Sequence, residues 1–388
     1  MISGVRNAPS MNVLLLSARF PWPAFTGDRL RANVWLSALE HEANVALVAP
    51  AGRVPTDAPH FRFYPAARST FRCAAGVLRV IGGDPLQTLL AAPFDWAGAI
   101  ARARSDLGSF DASIVLLSRL GPCVRQHLPD GLHVLDAIDS LRRSMMERSR
   151  ESSPWMRWFW RAESKRVGRV EESAVRAYDR VLVVSAEDAV ELNAVVIPNG
   201  VRIAPLSGGP RSFDFGFWGR LGYFANRDAV EWLAGEIWPS IRAARPDARL
   251  LIAGADAPDA IRGMDGREGI SVWSPVPDIA ALARQIKIAL VPLRYGTGQP
   301  SKILEAAEAG CAIVATSKAV RGLEPLAKLV STSNDAAGIT AAAIGVLSNE
   351  TERGAMASAL RRAVEIHYAR RVSQDRLAAI VLRREAAA

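Results

Sequence analysis

"IKIALVPLRYGTGQPSKILEAAEAGCAIVATS", residues Ile286 to Ser317, decides the fold. Ile286 to Leu293 and Cys311 to Ser317 are short apolar runs, as expected of strands covered on both faces. Between them "SKILEAAEAG" has helical composition, and Gly310 stands just beyond its last turn. Strand, helix and strand in that order make one unit of an α/β sheet. The connection "YGTGQP" has two readings. Gly296 and Gly298 let a backbone approach a ligand, and Pro300 suits a first helical turn. Amides around Gln299, Ser301 and Lys302 would then point outward at the positive helix end, where Lys302 adds a full charge. Glu305, one turn on, is placed to accept from a ribose diol. This is no Walker A loop, since the glycine before the lysine is missing, and an ordinary strand-to-helix turn fits the spacing equally.

The same alternation extends through the chain. "NVLLLSA" (12–18), "NVALVAP" (44–50), "ASIVLLS" (112–118), "HVLDAI" (133–138) and "RVLVVS" (180–185) read as buried parallel strands. A second series runs "VVIPNG" from Val195, then "FDFGFWG" (213–219), "RLLIAG" (249–254), "GISVWS" (269–274) and the two strands quoted first. Helices fall between them. Leu30, Val34, Leu36 and Leu39 mark one, and Asn226 is placed to cap another along "RDAVEWLAGEIWPSI". Two such series predict two doubly wound, Rossmann-like domains facing each other across a cleft. The expected boundaries are a disordered lead-in at 1–10, a first domain at 11–195 and a second at 196–360. A C-terminal helix at 361–388 is expected to cross back to the first domain.

Composition narrows the partners. The chain has 388 residues, 49% of them hydrophobic, which suffices for two cores. A net charge of +9 favours anionic partners, namely nucleotides, nucleic acid or an acidic membrane surface, although a solvated basic surface is as good an explanation. No nucleic-acid module is recognisable. The three cysteines form no CxxC and the five histidines no ligand spacing, so neither a disulfide framework nor a metal site is expected, and a cytoplasmic location fits. No apolar run reaches the ~18 residues of a membrane span.

Three further stretches carry candidate chemistry. In "FWGRLGYFANRD", a strand delivers Gly219 and Arg220, and a guanidinium there suits a diphosphate. In "ARFPWPAFTGDRLRANV", Gly27 follows a strand and a proline-bearing loop, where a phosphate or sugar can be approached; Asp28 and Arg29 follow, and Asp28 is also a simple helix cap. In "HVLDAIDSLRRSM", Asp136 and Asp139 stand at a strand end before Arg142 and Arg143. These carboxylates are placed to orient an acceptor hydroxyl or serve as base, and Asp139 is equally placed to cap a helix. Finally, "SPWMRWFWRAESKR" sets Trp155, Trp158, Phe159 and Trp160 beside arginines; such a helix lies on an anionic membrane or packs its aromatics inward.

Together "PNGV" (198–201), "GRL" (219–221), "LLIAG" (250–254) and "KILEAAEAGCAIVAT" (302–316) resemble the retaining family 4 glycosyltransferases of GT-B fold. "GDRLR" from Gly27 and "DRVLVVSAED" from Asp179 resemble a branch that builds bacterial exopolysaccharide and cell envelope. The resemblance runs from Met11 through nearly the whole chain. It implies sugar transfer from a nucleotide-diphosphate sugar to a glycan or lipid-linked acceptor, with retention and no required metal or other cofactor. It implies that Arg220 and Lys302 bind the donor diphosphate and Glu305 the ribose. The Gly298 to Ser301 amides would hold phosphates or sugar, and Val276 would flank the base. The chain departs from the family pattern at three points. Thr297 stands where the first of two spaced glutamates is usual, Asn226 near a usual lysine, and Ile138 near a frequent histidine. Those departures keep two alternatives open: a nucleotide-sugar or glycan-binding protein without turnover, and a sugar-nucleotide epimerase of the same fold.

Overall fold

A computed structural model of the chain describes residues 11–24, 26–206, 209–296 and 301–382. The expected lead-in at 1–10 and the glycine loop from Thr297 to Pro300 lie outside the described residues. Two compact units emerge: the chain through Asn199 together with that from Ser373, and Gly200–Val372.

The first unit is built on seven parallel strands: β1 (Asn12–Ser17), β2 (Asn44–Pro50), β3 (Arg62–Ala66), β4 (Ala112–Leu116), β5 (Leu132–Ile138), β6 (Arg180–Val183) and β7 (Val195–Val196). Their order is β3-β2-β1-β4-β5-β6-β7. Successive side chains leave a strand on opposite faces. Accordingly Leu14 and Leu16 of β1 join one hydrophobic cluster, with Trp96 and Ile100 of the Trp96–Leu107 helix. Val13 and Leu15 join another, with Val34, Trp35 and Leu39 of the Gly27–Leu39 helix. A sheet covered on both faces explains why its strands are apolar throughout.

The second unit repeats the plan with six parallel strands: β8 (Phe213–Trp218), β9 (Leu250–Ala253), β10 (Ile270–Trp273), β11 (Ile286–Val291), β12 (Ala312–Ala315) and β13 (Ser331–Thr332), ordered β10-β9-β8-β11-β12-β13. The opening stretch supplies β11, β12 and the Ser301–Glu308 helix between them. Gly310 ends that helix with φ +71°, and Cys311 N–H bonds back to Ala306 at 2.9 Å.

Two expectations are corrected here. Val195–Val196 does not begin the second series; it pairs with Leu182 and Val183 at the edge of the first sheet. Asn226 caps nothing, because its helix begins at Phe224 with Tyr223 at the cap position, and Asn226 is buried inside the first turn. A third finding concerns the aromatic helix, Pro154–Ala177. Trp160 packs beside Leu141, Met145 and Val167, whereas Trp155 and Trp158 are each 75% exposed, because the buried face of the helix begins only at Glu163.

One ion pair ties the first unit together. Arg31, on the first helix and fully buried, places Nε 2.6 Å from Asp136 at the end of β5. Its Nη1 donates to the Ile197 and Pro198 carbonyls where the chain leaves the sheet, and the Trp35 indole N–H donates to the same Asp136 oxygen at 2.7 Å. Breaking one side of a buried pair costs about 3–5 kcal/mol, because the other charge is stranded. Asp136→Ala is therefore expected to destabilise this unit by that amount, and Arg31→Met with Asp136→Leu by much less. Hydrogen exchange of the β1 and β4 amides reads both.

Candidate active site

In doubly wound sheets ligands collect beyond the carboxyl ends of strands, where the strand order reverses. That reversal falls between β1 and β4 in the first sheet and between β8 and β11 in the second. Gly27, Asp28 and Arg29 follow β1, Gly219 and Arg220 follow β8, and Lys302 follows β11, whereas Asp139 and Arg142 follow β5 and Val276 follows β10.

In the second unit, Gly219 ends β8 with φ +147°, and a Cβ there would come within 2.8 Å of Lys302 Cε and 2.9 Å of its Nζ. Lys302 belongs to the helix after β11, so the two strand ends deliver their residues to one point. Its ammonium lies 5.5 Å from the Phe217 ring centroid. Burial pulls its pKa down to about 8, against the opposing pull of Glu305. Glu305 itself is anchored, since one carboxylate oxygen accepts from the Trp218 indole N–H at 2.7 Å. Asn226 donates to the Arg220 carbonyl at 2.8 Å and so fixes the turn after β8. The Arg220 side chain is exposed and reaches Asp256 at 2.7 Å. Gly254 closes β9 with φ +148°, and a Cβ there would sit 1.6 Å from the Gly219 carbonyl oxygen. The backbones touch, which only glycine permits.

Ser301 is the exposed first residue of its helix. Gly298, Gln299 and Pro300 lie outside the described residues. Val276 follows β10, two strands from β8, and packs against the second core. The entry to the glycine loop is held by Arg294, whose guanidinium bonds Asp228 at 2.6 and 3.0 Å and covers Trp232 at 4.9 Å. Nothing in the linear spacing announced that clamp.

In the first unit, Asp136 is withdrawn from the acceptor role expected of it. It is fully buried under Arg31 and Trp35, where no substrate reaches. Asp139, three residues on, takes the strand-end position. A register shift between Asp136 and Ile138 and a left-handed Ile138 (φ +69°) re-aim the chain there. Leu117, at the end of the neighbouring β4, is left-handed too (φ +75°). Such backbone is costly for bulky side chains and concentrates at functional sites. Asp139 is not a cap; Ser140 caps the following helix through Arg143 N–H. The remaining helix-end amides, Leu141 and Arg142, donate to Glu171, a buried carboxylate from another helix. Burial, then Asp188 and Glu171, push the Asp139 pKa up to about 7. Arg142 is half-exposed, within 3.7 Å of Glu172 and 3.6 Å of Glu191.

Asp28 is likewise no cap. Thr26 precedes the helix and donates to Asp28 Oδ1 at 2.6 Å, while Oδ2 faces Arg19 at 3.4 Å and Arg119 at 3.9 Å. Arg29 donates to the Pro23 carbonyl. Beside Gly27 a Cβ would meet nothing within 4 Å, so open space adjoins it. The first unit thus brings Asp28 and Arg29 together with Arg19 and Arg119, and holds Asp139 and Arg142 near Glu171 and Glu191. Arg119 was not singled out from sequence, although it stands three residues beyond β4 much as Arg220 stands two beyond β8; the rule that picked one applies to the other. Among the described residues no group of three or more His, Cys, Asp or Glu side chains is arranged to hold a metal ion.

Residues 212–349 match the family model described as "Glycosyl transferases group 1". No curated protein matches the chain by sequence. Among solved structures, sucrose-phosphate synthase from Thermosynechococcus elongatus superimposes with a TM-score of 0.73 at 13% identity, covering 96% of this chain and 98% of that one. WaaG, a glycosyltransferase involved in lipopolysaccharide biosynthesis, gives 0.64 at 13% identity over 96% and 99%. The Anabaena protein HepE, in complex with UDP, gives 0.65 at 12% identity over 96% and 99%. At such identities the likeness shows the fold, which is GT-B: two Rossmann-like units with parallel sheets.

Two outcomes follow from this geometry. Gly254→Ala forces a methyl into the Gly219 carbonyl and is expected to cost more than about 2 kcal/mol, whereas Gly27→Ala leaves the melting temperature unchanged. The Asp139 carboxylate is disfavoured in the folded state, so its contribution to stability is full below about pH 4 and is lost as pH rises through about 7. Asp139→Asn should therefore raise the melting temperature relative to the parent at pH 8 and not at pH 4; a pH series of thermal melts checks the sign.

Proposed function

We propose that the chain is a retaining, family 4-like glycosyltransferase that moves a sugar from a nucleotide-diphosphate sugar to a glycan or lipid-linked acceptor in polysaccharide or cell-envelope synthesis. One observation carries the reading: Lys302 lies against Gly219, next in the chain to Arg220, at the switch point of a unit that matches the group 1 glycosyltransferase model. In this reading Lys302 and Arg220 hold the diphosphate. Glu305, with one oxygen fixed by Trp218, offers the other to the ribose. Asn226 keeps the Arg220 turn in place, Ser301 and the preceding loop supply amides, and Val276 borders the base. The bond from the anomeric carbon to the diphosphate oxygen breaks as the bond to the acceptor oxygen forms. Fixed cations at the departing diphosphate stabilise the charge developing there. Asp139, whose pKa near 7 populates both protonation states at neutral pH, orients the acceptor hydroxyl, whose proton passes to the departing diphosphate oxygen as the new bond forms. No metal is required in this scheme, the charge being met by Lys302 and Arg220.

We place the reaction in the cytoplasm at the inner membrane face. Phe71, Leu78 and Ile81 of the Thr70–Ile81 helix are exposed, as are Trp155 and Trp158, and Arg72 and Arg79 interleave the first group. That combination suits peripheral contact with anionic lipid. No described helix is long and apolar enough to cross a membrane.

Thr297, in place of the usual glutamate, favours one other reading, donor binding without transfer. Release of nucleoside diphosphate from a donor, with and without acceptor, separates the two, since binding without release identifies the second. Donor nucleotides should raise the melting temperature by mass action. Arg220→Ala and Lys302→Ala should each abolish that shift, and retention of a full shift in both would remove the diphosphate assignment. Because Lys302 loses its proton near pH 8, nucleoside-diphosphate affinity should fall between pH 7 and 9, and this slope should vanish in Lys302→Ala.

A further inference from the structure

The first unit carries a cavity of about 400 Å³ whose walls come from the carboxyl ends of β1, β2, β3 and β4. Four arginines line it, Arg19, Arg29, Arg68 and Arg119, against an apolar wall that includes Phe20, Leu89 and Phe94. Two carboxylates are set against them: Asp28, which faces Arg19 and Arg119, and Asp139, which also acts on Arg119. Positive charge is therefore in excess. Arg119 is 90% buried by its side chain's 10% exposure, its Nη1 donates to Gln87, and its Nε has no partner among the described residues. The Nε of Arg29 is also buried without a partner. Burial, then the neighbouring Arg19, pulls the Arg119 guanidinium below the usual arginine range. Buried donors left unpaired carry a desolvation penalty, which an oxyanion would recover. Planar guanidiniums bind phosphoryl oxygens in pairs. The volume holds a ligand of roughly monosaccharide size.

We propose that this cavity binds the phosphoryl group of a phosphorylated sugar, so that the acceptor is anionic. The proposal deepens the glycosyltransferase reading and rests on it only for the word acceptor; the anion site stands on the arginines alone. Two sources share the chemistry, a soluble sugar monophosphate and the diphosphate of a lipid-linked sugar.

The test uses the full chain carrying Arg220→Ala and Lys302→Ala, which removes the other phosphate-binding point. Calorimetry with glucose 6-phosphate, inorganic pyrophosphate, glucuronate and glucose is compared at low and high salt. Glucose 6-phosphate or pyrophosphate should bind at least tenfold more tightly than glucose, with affinity falling as salt rises. The tighter of the two identifies the monophosphate or the diphosphate source. Arg68→Gln, at an exposed position that the fold tolerates, should weaken binding at least fivefold, and Arg119→Gln more. Binding of both glucose 6-phosphate and pyrophosphate no tighter than glucose overturns the proposal, as does preference for glucuronate over both phosphates or an Arg68→Gln variant with parental affinity. Nucleoside-diphosphate binding by the otherwise unaltered chain is measured in parallel. Its loss with the cavity still active sinks the transferase reading and spares the anion site; the reverse result does the opposite.

Discussion

A guanidinium with no access to water constrains the first unit. Arg31 has Asp136, the carbonyls of the departing chain and the Asn199 side chain to answer its charge, so the first helix, the end of β5 and residues 197–199 must arrive together. An apolar trio would hold the same elements with less penalty, yet it would not select their register so sharply. The selection matters because β5 is where the chain bends. With Asp136 locked inward, the register shift and the left-handed Ile138 follow, and Asp139 is what emerges at the strand end. The carboxylate that pairs and the carboxylate that titrates near neutrality are thus set by one buried contact.

The second unit solves the analogous problem without charge. Gly219 and Gly254 bring two strand ends into backbone contact, and the space saved above Gly219 is taken by Lys302. An ammonium held there is partly desolvated before any ligand arrives, hence its lowered pKa. An anion bound there would raise that pKa again and meet a charge already placed, at small cost in side-chain order.

The strands of both sheets could be read from sequence because burial on two faces leaves an unmistakable apolar signature. Exceptions are instructive. β3 carries exposed Arg62 and Pro65 and β13 is two residues long, so neither pattern nor length marks them, while β7 was read as a strand but given to the wrong sheet. Candidates delivered by a strand end or a helix start, Gly219, Arg220 and Lys302, could be placed in the fold by position in the alternation. Those misassigned depend on partners remote in sequence. Asp136 and Asp139 look alike in "LDAID", and only Arg31, 105 residues away, tells which is buried. Asn226 looks like a cap until the turn it braces is seen to start the helix two residues earlier. Arg19 and Arg119 belong to one cavity but lie far apart in the chain.

The return of the chain to the first unit has a consequence for its biosynthesis. Leu377 and Val381, on the helix Arg370–Leu382, are fully buried in the same cluster as Val13 and Leu15 of β1. The second unit, Gly200–Val372, is therefore an insertion into the first. On a ribosome, the second unit can complete its own core while the first still lacks the Arg370–Leu382 helix. The N-terminal sheet must then wait, one layer short, until that helix has been translated, which reverses the usual order in which domains of a growing chain fold.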